Sequence, residues 1–204
     1  DVVREVTELA ANGYQEVVLT GIHLSSYGVD LENENLLSLI LAVNEIEGIK
    51  RIRLGSLEPR IITEDFVKTI SGLEKMCPHF HLSLQSGCDE TLRRMNRRYT
   101  SEEYYEKCML LRKYFAHPAL TTDVIVGFPG ETKEEFEETR RFLETVHFYE
   151  MHIFKYSRRG GTRADRMPDQ IPEEKKAVRS DILLEMEKRM SSQYRQSFQG
   201  KECC

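Results

Sequence analysis

The feature that most constrains this chain is an alternation of short apolar runs with segments of helical periodicity. Residues 16–21 (EVVLTG), 51–57, 79–86 (HFHLSLQS), 120–128 and 149–157 read as strands, rich in β-branched and aromatic residues. Between them lie helical patterns. An amphipathic first helix carrying Val2, Val3, Val6, Leu9 and Ala10 stops at Asn12-Gly13, and a second spans 36–46 before Gly48. A third is opened by Thr63 as N-cap, and a fourth by Ser101 ahead of Tyr104, Tyr105, Cys108, Leu110 and Leu111. Thr132 with Glu135 forms a capping box, and Pro172 sits in the first turn of a long last helix. Strand–helix units spaced by roughly 30 to 40 residues predict a parallel α/β sheet, closed as a barrel or left open and doubly wound. Both architectures place their sites at the C-terminal strand ends, where glycine and polar residues accumulate here.

At 204 residues the chain suits one domain. It has no apolar run near the roughly 18 residues of a membrane span, so a cytoplasmic protein is the simplest reading. A net charge of −5 does not by itself point to nucleic acid. Acidic residues crowd Glu131, Glu134, Glu135, Glu137 and Glu138, whereas arginines gather at Arg93, Arg94, Arg97, Arg98 and at Arg158, Arg159, Arg163, Arg166. Each basic group follows a strand-like run, so positive patches can form on an acidic protein. The cysteines are Cys77, Cys88, Cys108, Cys203 and Cys204; with no C-x2-C or C-x3-C spacing, they suggest reduced thiols and no metal site of this chain's own. The chain opens without Met inside a helix and ends on KECC, which suggests an excised domain.

The strand ends carry the chemistry: Thr20-Gly21, Gly55-Ser56-Leu57-Glu58-Pro59, Gln85-Ser86-Gly87, the GFPGET segment at 127–132, and YSRRGGT at 156–162. GFPGET sets two glycines and a proline before a helix, a geometry expected to leave backbone N–H groups open near the positive helix end. It lacks the dinucleotide and Walker A spacings.

In order and spacing, VVLTGIHLSSYG, LSLQSGCDETLRRMNRRYT, TTDVIVGFPGET and IFKYSRRGGTRA resemble the radical S-adenosylmethionine (SAM) methylthiotransferases over residues 1–200. VVLTGIHLSSYG and RIRLGSLEP look most like the branch acting on N6-threonylcarbamoyladenosine at position 37 of tRNA. The resemblance implies a partial TIM-type (β/α)6 barrel, here lacking its first strand and cluster loop, with 201–204 starting a linker to an RNA-binding domain. It implies SAM and two 4Fe–4S clusters in the parent enzyme, one of them held by C-x3-C-x2-C. A 5′-deoxyadenosyl radical would remove hydrogen from C2 of the adenosine, and a methylthio group would be inserted there. It also implies the tRNA anticodon loop as partner, a monomer, no membrane, and an isolated chain without activity.

By the same resemblance, Thr20 and Gly21 meet the methionyl amino group, which needs nearby oxygen acceptors. Ser56, Glu58, Gln85 and Ser86 offer further acceptors, Asp123 lies inside strand four, and Val126, Gly127, Phe154 and Tyr156 line the adenine. Arg97 would meet the SAM carboxylate or a tRNA phosphate. Arg158, Arg159 and Arg163 would meet RNA phosphates. Each has a plainer alternative. Ser56 can bond a neighbouring turn, Glu58 before Pro59 can be a turn residue, and Asp123 can pair with an arginine. Arg93, Arg94 and Arg98 read as solvated helix charges, Cys88 as a small buried residue, and the histidines as structural or surface groups. Competing readings are another methylthiotransferase branch (isopentenyladenosine tRNA or ribosomal-protein aspartate), a different barrel enzyme, for which Lys155 is the one strand-end Schiff-base candidate, and a non-catalytic RNA-binding module.

Overall fold

The computed structural model of the chain describes residues 1–21, 23–32 and 34–201. Ile22 of the first strand-end segment, the Cys203–Cys204 pair and the expected linker start beyond Lys201 lie outside the described residues. The chain divides into two compact units, Asp1–Leu82 with Lys107–Ala119 and Ser83–Glu106 with Leu120–Cys204.

In the first unit, α1 (Val2–Ala11) ends as expected at Asn12, followed by Gly13 at φ 88°. Gly13 N–H bonds the Ala10 carbonyl at 2.9 Å, closing the last turn. β1 (Glu16–Leu19) pairs in parallel with β2 (Arg51–Leu54), Val17 opposite Ile52 and Leu19 opposite Leu54. Those four side chains are buried, so one face of the ladder is core. α2 (Leu36–Asn44) starts at Asn35, whose side chain accepts from Ser38 N–H at 2.9 Å, and it buries Ile40 and Val43 completely. α3 (Glu64–Ser71) is capped by Thr63 at 3.3 Å from Phe66 N–H, and it buries Val67 and Ile70. Each such aliphatic side chain contributes about 1.5–3 kcal/mol by leaving water. β2 runs on to parallel bridges, Ile52 with Met76 and Leu57 with Leu82, beside β3 (His79–His81). Phe80 packs edge-on against Phe115 at 4.8 Å.

The second unit contains α4 (Asp89–Arg94), the start of α5 (Ser101–Tyr114), most of β4 (Ala119–Val126), α6 (Lys133–Val146), β5 (Glu150–Lys155) and α7 (Glu173–Gln196). β4 and β5 pair in parallel, with Asp123 opposite His152 and Val126 opposite Lys155. Tyr104, fully buried, sits among the rings of Phe142 and Phe148, and its hydroxyl bonds Thr122 Oγ1 at 3.3 Å. The Thr132–Glu135 capping box forms as read, with both bonds at 3.1 Å.

Two expectations change in detail. The third strand is regular only over His79–His81. Beyond it Leu84 N–H turns to the Thr122 hydroxyl, and Gln85, at φ 74°, makes one bridge to Val124. α5 starts at Ser101 as read, and its cap is Thr100, paired reciprocally with Glu103. Pro172 is the N-cap of α7, one residue ahead of its first turn. Among the described residues no helix is long and apolar enough to cross a membrane.

Candidate functional site

In the second unit, β4 delivers Val126 to a turn in which Gly127 and Gly130 adopt φ 72° and 77°. Only glycine enters that region freely. Tyr156 N–H bonds the Val126 carbonyl at 2.9 Å, so the β4–β5 ladder continues one step past β5. Between these strand ends opens a cleft of about 570 Å³, lined by Gln85, Asp123, Ile125, Phe128, Phe154, Tyr156, Ser157 and Arg159 among others. That volume and its mix of rings with a few polar groups suit a nucleoside-sized ligand.

Phe154 is 53% exposed, unusual for an aromatic ring on a strand, whereas the ring of Tyr156 packs edge-on against Phe128 at 5.2 Å. The Asp123 carboxylate lies 3.1 Å from His152 Nδ1, an imidazole partner that the sequence reading did not consider. Gln85 is buried at the cleft wall. Ser86 is also buried, but its hydroxyl is engaged by Thr139 Oγ1 at 3.0 Å and by Cys88 N–H, and it does not line the cleft.

The expectation of open N–H groups in GFPGET is corrected. Gly127 N–H donates to Glu131 Oε2 at 2.7 Å, Gly130 N–H to Asp169 O, Glu131 N–H to Phe128 O, and Thr132 N–H to Glu135. The segment satisfies itself and cannot serve as an anion cradle. Glu131 is accordingly no solvated helix acid. It is 5% exposed, burial pushes its carboxyl up, and Arg179 pulls it back from 2.8 Å.

In the first unit, Thr20, Gly21, Ser56 and Glu58 stand side by side at the ends of β1 and β2, joined by Gly55 N–H to Leu19 O at 2.7 Å. Thr20 and Ser56 are exposed. The Glu58 carboxylate accepts from Arg60 at 2.7 Å and lies 3.5 Å from His23 Nδ1.

Among the arginines, Arg97, Arg159 and Arg163 are exposed, while Arg158 donates to the Asp165 carboxylate at 2.9 Å, which neutralises its charge within the loop. Arg94 is not a solvated helix charge. It forks onto Glu135, one arm at 2.9 Å, and bonds Thr91 as well. Burial raises the Glu135 carboxyl, but Arg94, Thr132 N–H and Thr91 together outweigh it and hold the group below the ordinary glutamate range. A carboxylate depressed in the fold contributes stability above its unfolded pKa, about 4.3, and loses it as pH falls through the lower folded value. Glu135→Gln is therefore expected to cost about 1–2 kcal/mol at pH 7. The deficit should shrink once the medium is more acid than about pH 4, as urea midpoints at the two pH values would show.

Cys88 and Cys108 are buried thiols outside any disulfide and Cys77 is half-buried; burial pushes the Cys77 and Cys88 thiols up, away from the thiolate a cluster needs. No three cysteines converge among the described residues, so they do not fit an iron–sulfur cluster. The cleft does fit the adenosyl part of SAM, with one exposed aromatic ring, Phe154, and polar groups at its wall. Sequence reasoning sees Ser157 only as part of the YSRRGGT strand end, and it passes over Lys176 and Arg179 of α7, whose three-residue spacing puts them on one helix face, against Tyr156 and Glu131.

The chain spans less than half the length of the curated relatives it matches first. It is 41% identical over 202 residues to the tRNA-2-methylthio-N(6)-dimethylallyladenosine synthase of Thermoanaerobacter pseudethanolicus, covering 98% of this chain and 43% of that protein. It is 39% identical to the threonylcarbamoyladenosine tRNA methylthiotransferase MtaB of Bacillus subtilis, covering 98% and 45%. Among solved structures it is similar to coproporphyrinogen III oxidase of Escherichia coli, a radical SAM enzyme, with a TM-score of 0.67 at 18% identity over 91% of this chain and 43% of that one. Methylornithine synthase gives 0.60 at 16%, over 92% and 52%. These likenesses carry the fold, a partial TIM-type barrel of parallel strands and helices. The model of the radical SAM superfamily matches residues 1–143, and the chain belongs to that superfamily.

Proposed function

We propose that this chain is the SAM- and substrate-facing core of a cytoplasmic, monomeric tRNA methylthiotransferase that modifies C2 of N6-threonylcarbamoyladenosine 37 in the anticodon loop. The observation that carries the family is 39–41% identity, over 98% of the chain, to tRNA methylthiotransferases of both branches, and the threonylcarbamoyladenosine branch is chosen on two sequence segments. The VVLTGIHLSSYG and RIRLGSLEP segments support that branch. A second reading, the dimethylallyladenosine branch, is favoured by 41% identity over the same share of the chain.

SAM, when bound, supplies the transferred methyl group. Phe154 and Tyr156, with the backbone at Val126 and Gly127, are assigned to the adenine, and Gln85, Asp123 and Ser157 to the polar edge of the nucleoside. Thr20, Gly21, Ser56 and Glu58 are assigned to the methionyl amino group and ribose, with Arg97 for a carboxylate or phosphate. Ser86 is kept as a support for the Gln85 turn. Arg159 and Arg163 are assigned to tRNA phosphates, with Arg158 held in reserve by Asp165. The two 4Fe–4S clusters are assigned to cysteines other than those of this chain.

The test is nucleoside mass spectrometry of tRNA from a strain lacking its own methylthiotransferases and expressing the full-length gene. Return of the 2-methylthio derivative of threonylcarbamoyladenosine is expected. Return of only the dimethylallyl derivative would establish the second reading, and return of neither would remove the activity. The 204-residue chain alone, treated anaerobically with iron and sulfide, is expected to form no 5′-deoxyadenosine from SAM.

A further inference from the structure

Lys176 carries an ammonium on a side chain only 4% exposed. Its Nζ donates to the Tyr156 carbonyl at 2.9 Å and to the Glu173 carboxylate at 2.6 Å, and it lies 5.4 Å from the centre of the Tyr156 ring. Its stem fills the place where Gly127 lacks a side chain: a Cβ there would stand 2.4 Å from Lys176 Cγ. Both strand ends that frame the cleft are thus held by one residue of α7.

Among the described residues the buried Tyr156 hydroxyl has no hydrogen-bond partner, so it does not anchor the ring. The ring is placed by its backbone, through the N–H to Val126 and the carbonyl to Lys176, and by its contact with Phe128. Packing alone would be served by a methionine of similar length. Desolvating an ammonium for two acceptors is costly, and what it returns is direction.

We propose that Lys176 is a positioning residue for SAM binding: by fixing the Tyr156 peptide and seating against Gly127, it sets the aromatic wall of the adenosyl cleft. This rests on the reading of that cleft as the adenosyl site.

The experiment compares Lys176→Met, Lys176→Arg and Phe154→Asp in the full-length, cluster-reconstituted enzyme, with KM for SAM and kcat measured separately. Lys176→Met is expected to raise KM about tenfold, the equivalent of losing one charge-assisted bond, with kcat within about twofold. Lys176→Arg, which keeps the donors, should recover most of the loss. Phe154→Asp probes the cleft without touching the lysine. If it raises KM while Lys176→Met does not, the positioning role is overturned and the cleft stands. If neither moves KM, the cleft reading falls and the proposal with it. Should Lys176→Met fail to fold, Glu173→Gln weakens one of the two ammonium contacts from an exposed position. A smaller rise in KM then supports the proposal, and an unchanged KM overturns it.

Discussion

Replacing Arg179 by methionine is expected to destabilise the second unit by about 3–5 kcal/mol at pH 7, because it strands a buried carboxylate. Glu131 is 5% exposed at its side chain and Arg179 11%, and their contact at 2.8 Å is reinforced by Arg179 donating to the Glu131 and Thr132 carbonyls. Burial already pushes the Glu131 carboxyl up, and Arg179 is the charge that opposes it. Without the guanidinium the folded pKa rises further above the unfolded value. A group raised in the fold favours folding below its unfolded pKa and works against it as pH climbs through the folded one. The deficit of Arg179→Met should therefore be largest at neutral pH and fall toward pH 4, opposite to a general acid weakness. Adding Glu131→Gln should recover a large part of the loss, since the orphaned charge is gone and an amide oxygen can still accept from Gly127 N–H. Urea unfolding followed by circular dichroism at both pH values decides it. A single variant within about 1 kcal/mol of the parent at pH 7 would refute the account.

The same pair shows where reading a sequence stops. What depends on neighbours three or four residues away was legible: the stop at Asn12-Gly13, the Thr63 cap and the Thr132–Glu135 box. The Thr100 cap of α5 follows the same local rule, since Glu103 lies three residues after it. The order of strands and helices was legible for the same reason, each strand being a short apolar run or an apolar–polar alternation between turn residues. Arg94 and Glu135 are 41 residues apart, Arg179 and Glu131 48. No periodicity within α4 or α7 distinguishes these arginines from solvated ones.

Register was equally hidden. Asp123 meets His152 because β4 and β5 pair in the register that sets them opposite one another. A shift of one residue would send each side chain to the other face of its strand. Of the candidate site, the strand-end positions were visible as glycine and polar residues after apolar runs. Which of them face the cleft was not: Gln85 and Ser86 are adjacent, yet only Gln85 lines it. The positive φ of Gln85 turns the backbone between them.

Gly127→Ala should be more damaging than alanine at Gly160 or Gly161 in the second unit's loops, and this short series separates its two causes. Gly160 has no heavy atom within 4 Å of a built Cβ and no left-handed φ, so Gly160→Ala should be close to neutral. Gly161 has the same open space but φ 85°, and its alanine variant should cost only the left-handed penalty, about 1–2 kcal/mol. Gly127, at φ 72°, meets Lys176 Cγ at 2.4 Å as well. Overpacking adds about 1–3 kcal/mol, for a total of about 2–5. The collision is with the root of the lysine side chain, whose tip is tied to Tyr156 and Glu173, so it cannot swing aside without losing both bonds. Shortening the lysine in a Gly127→Ala/Lys176→Ala double variant should therefore cost less than the sum of the two single changes. Strict additivity in the unfolding free energies would show that the glycine is required for its backbone angle alone.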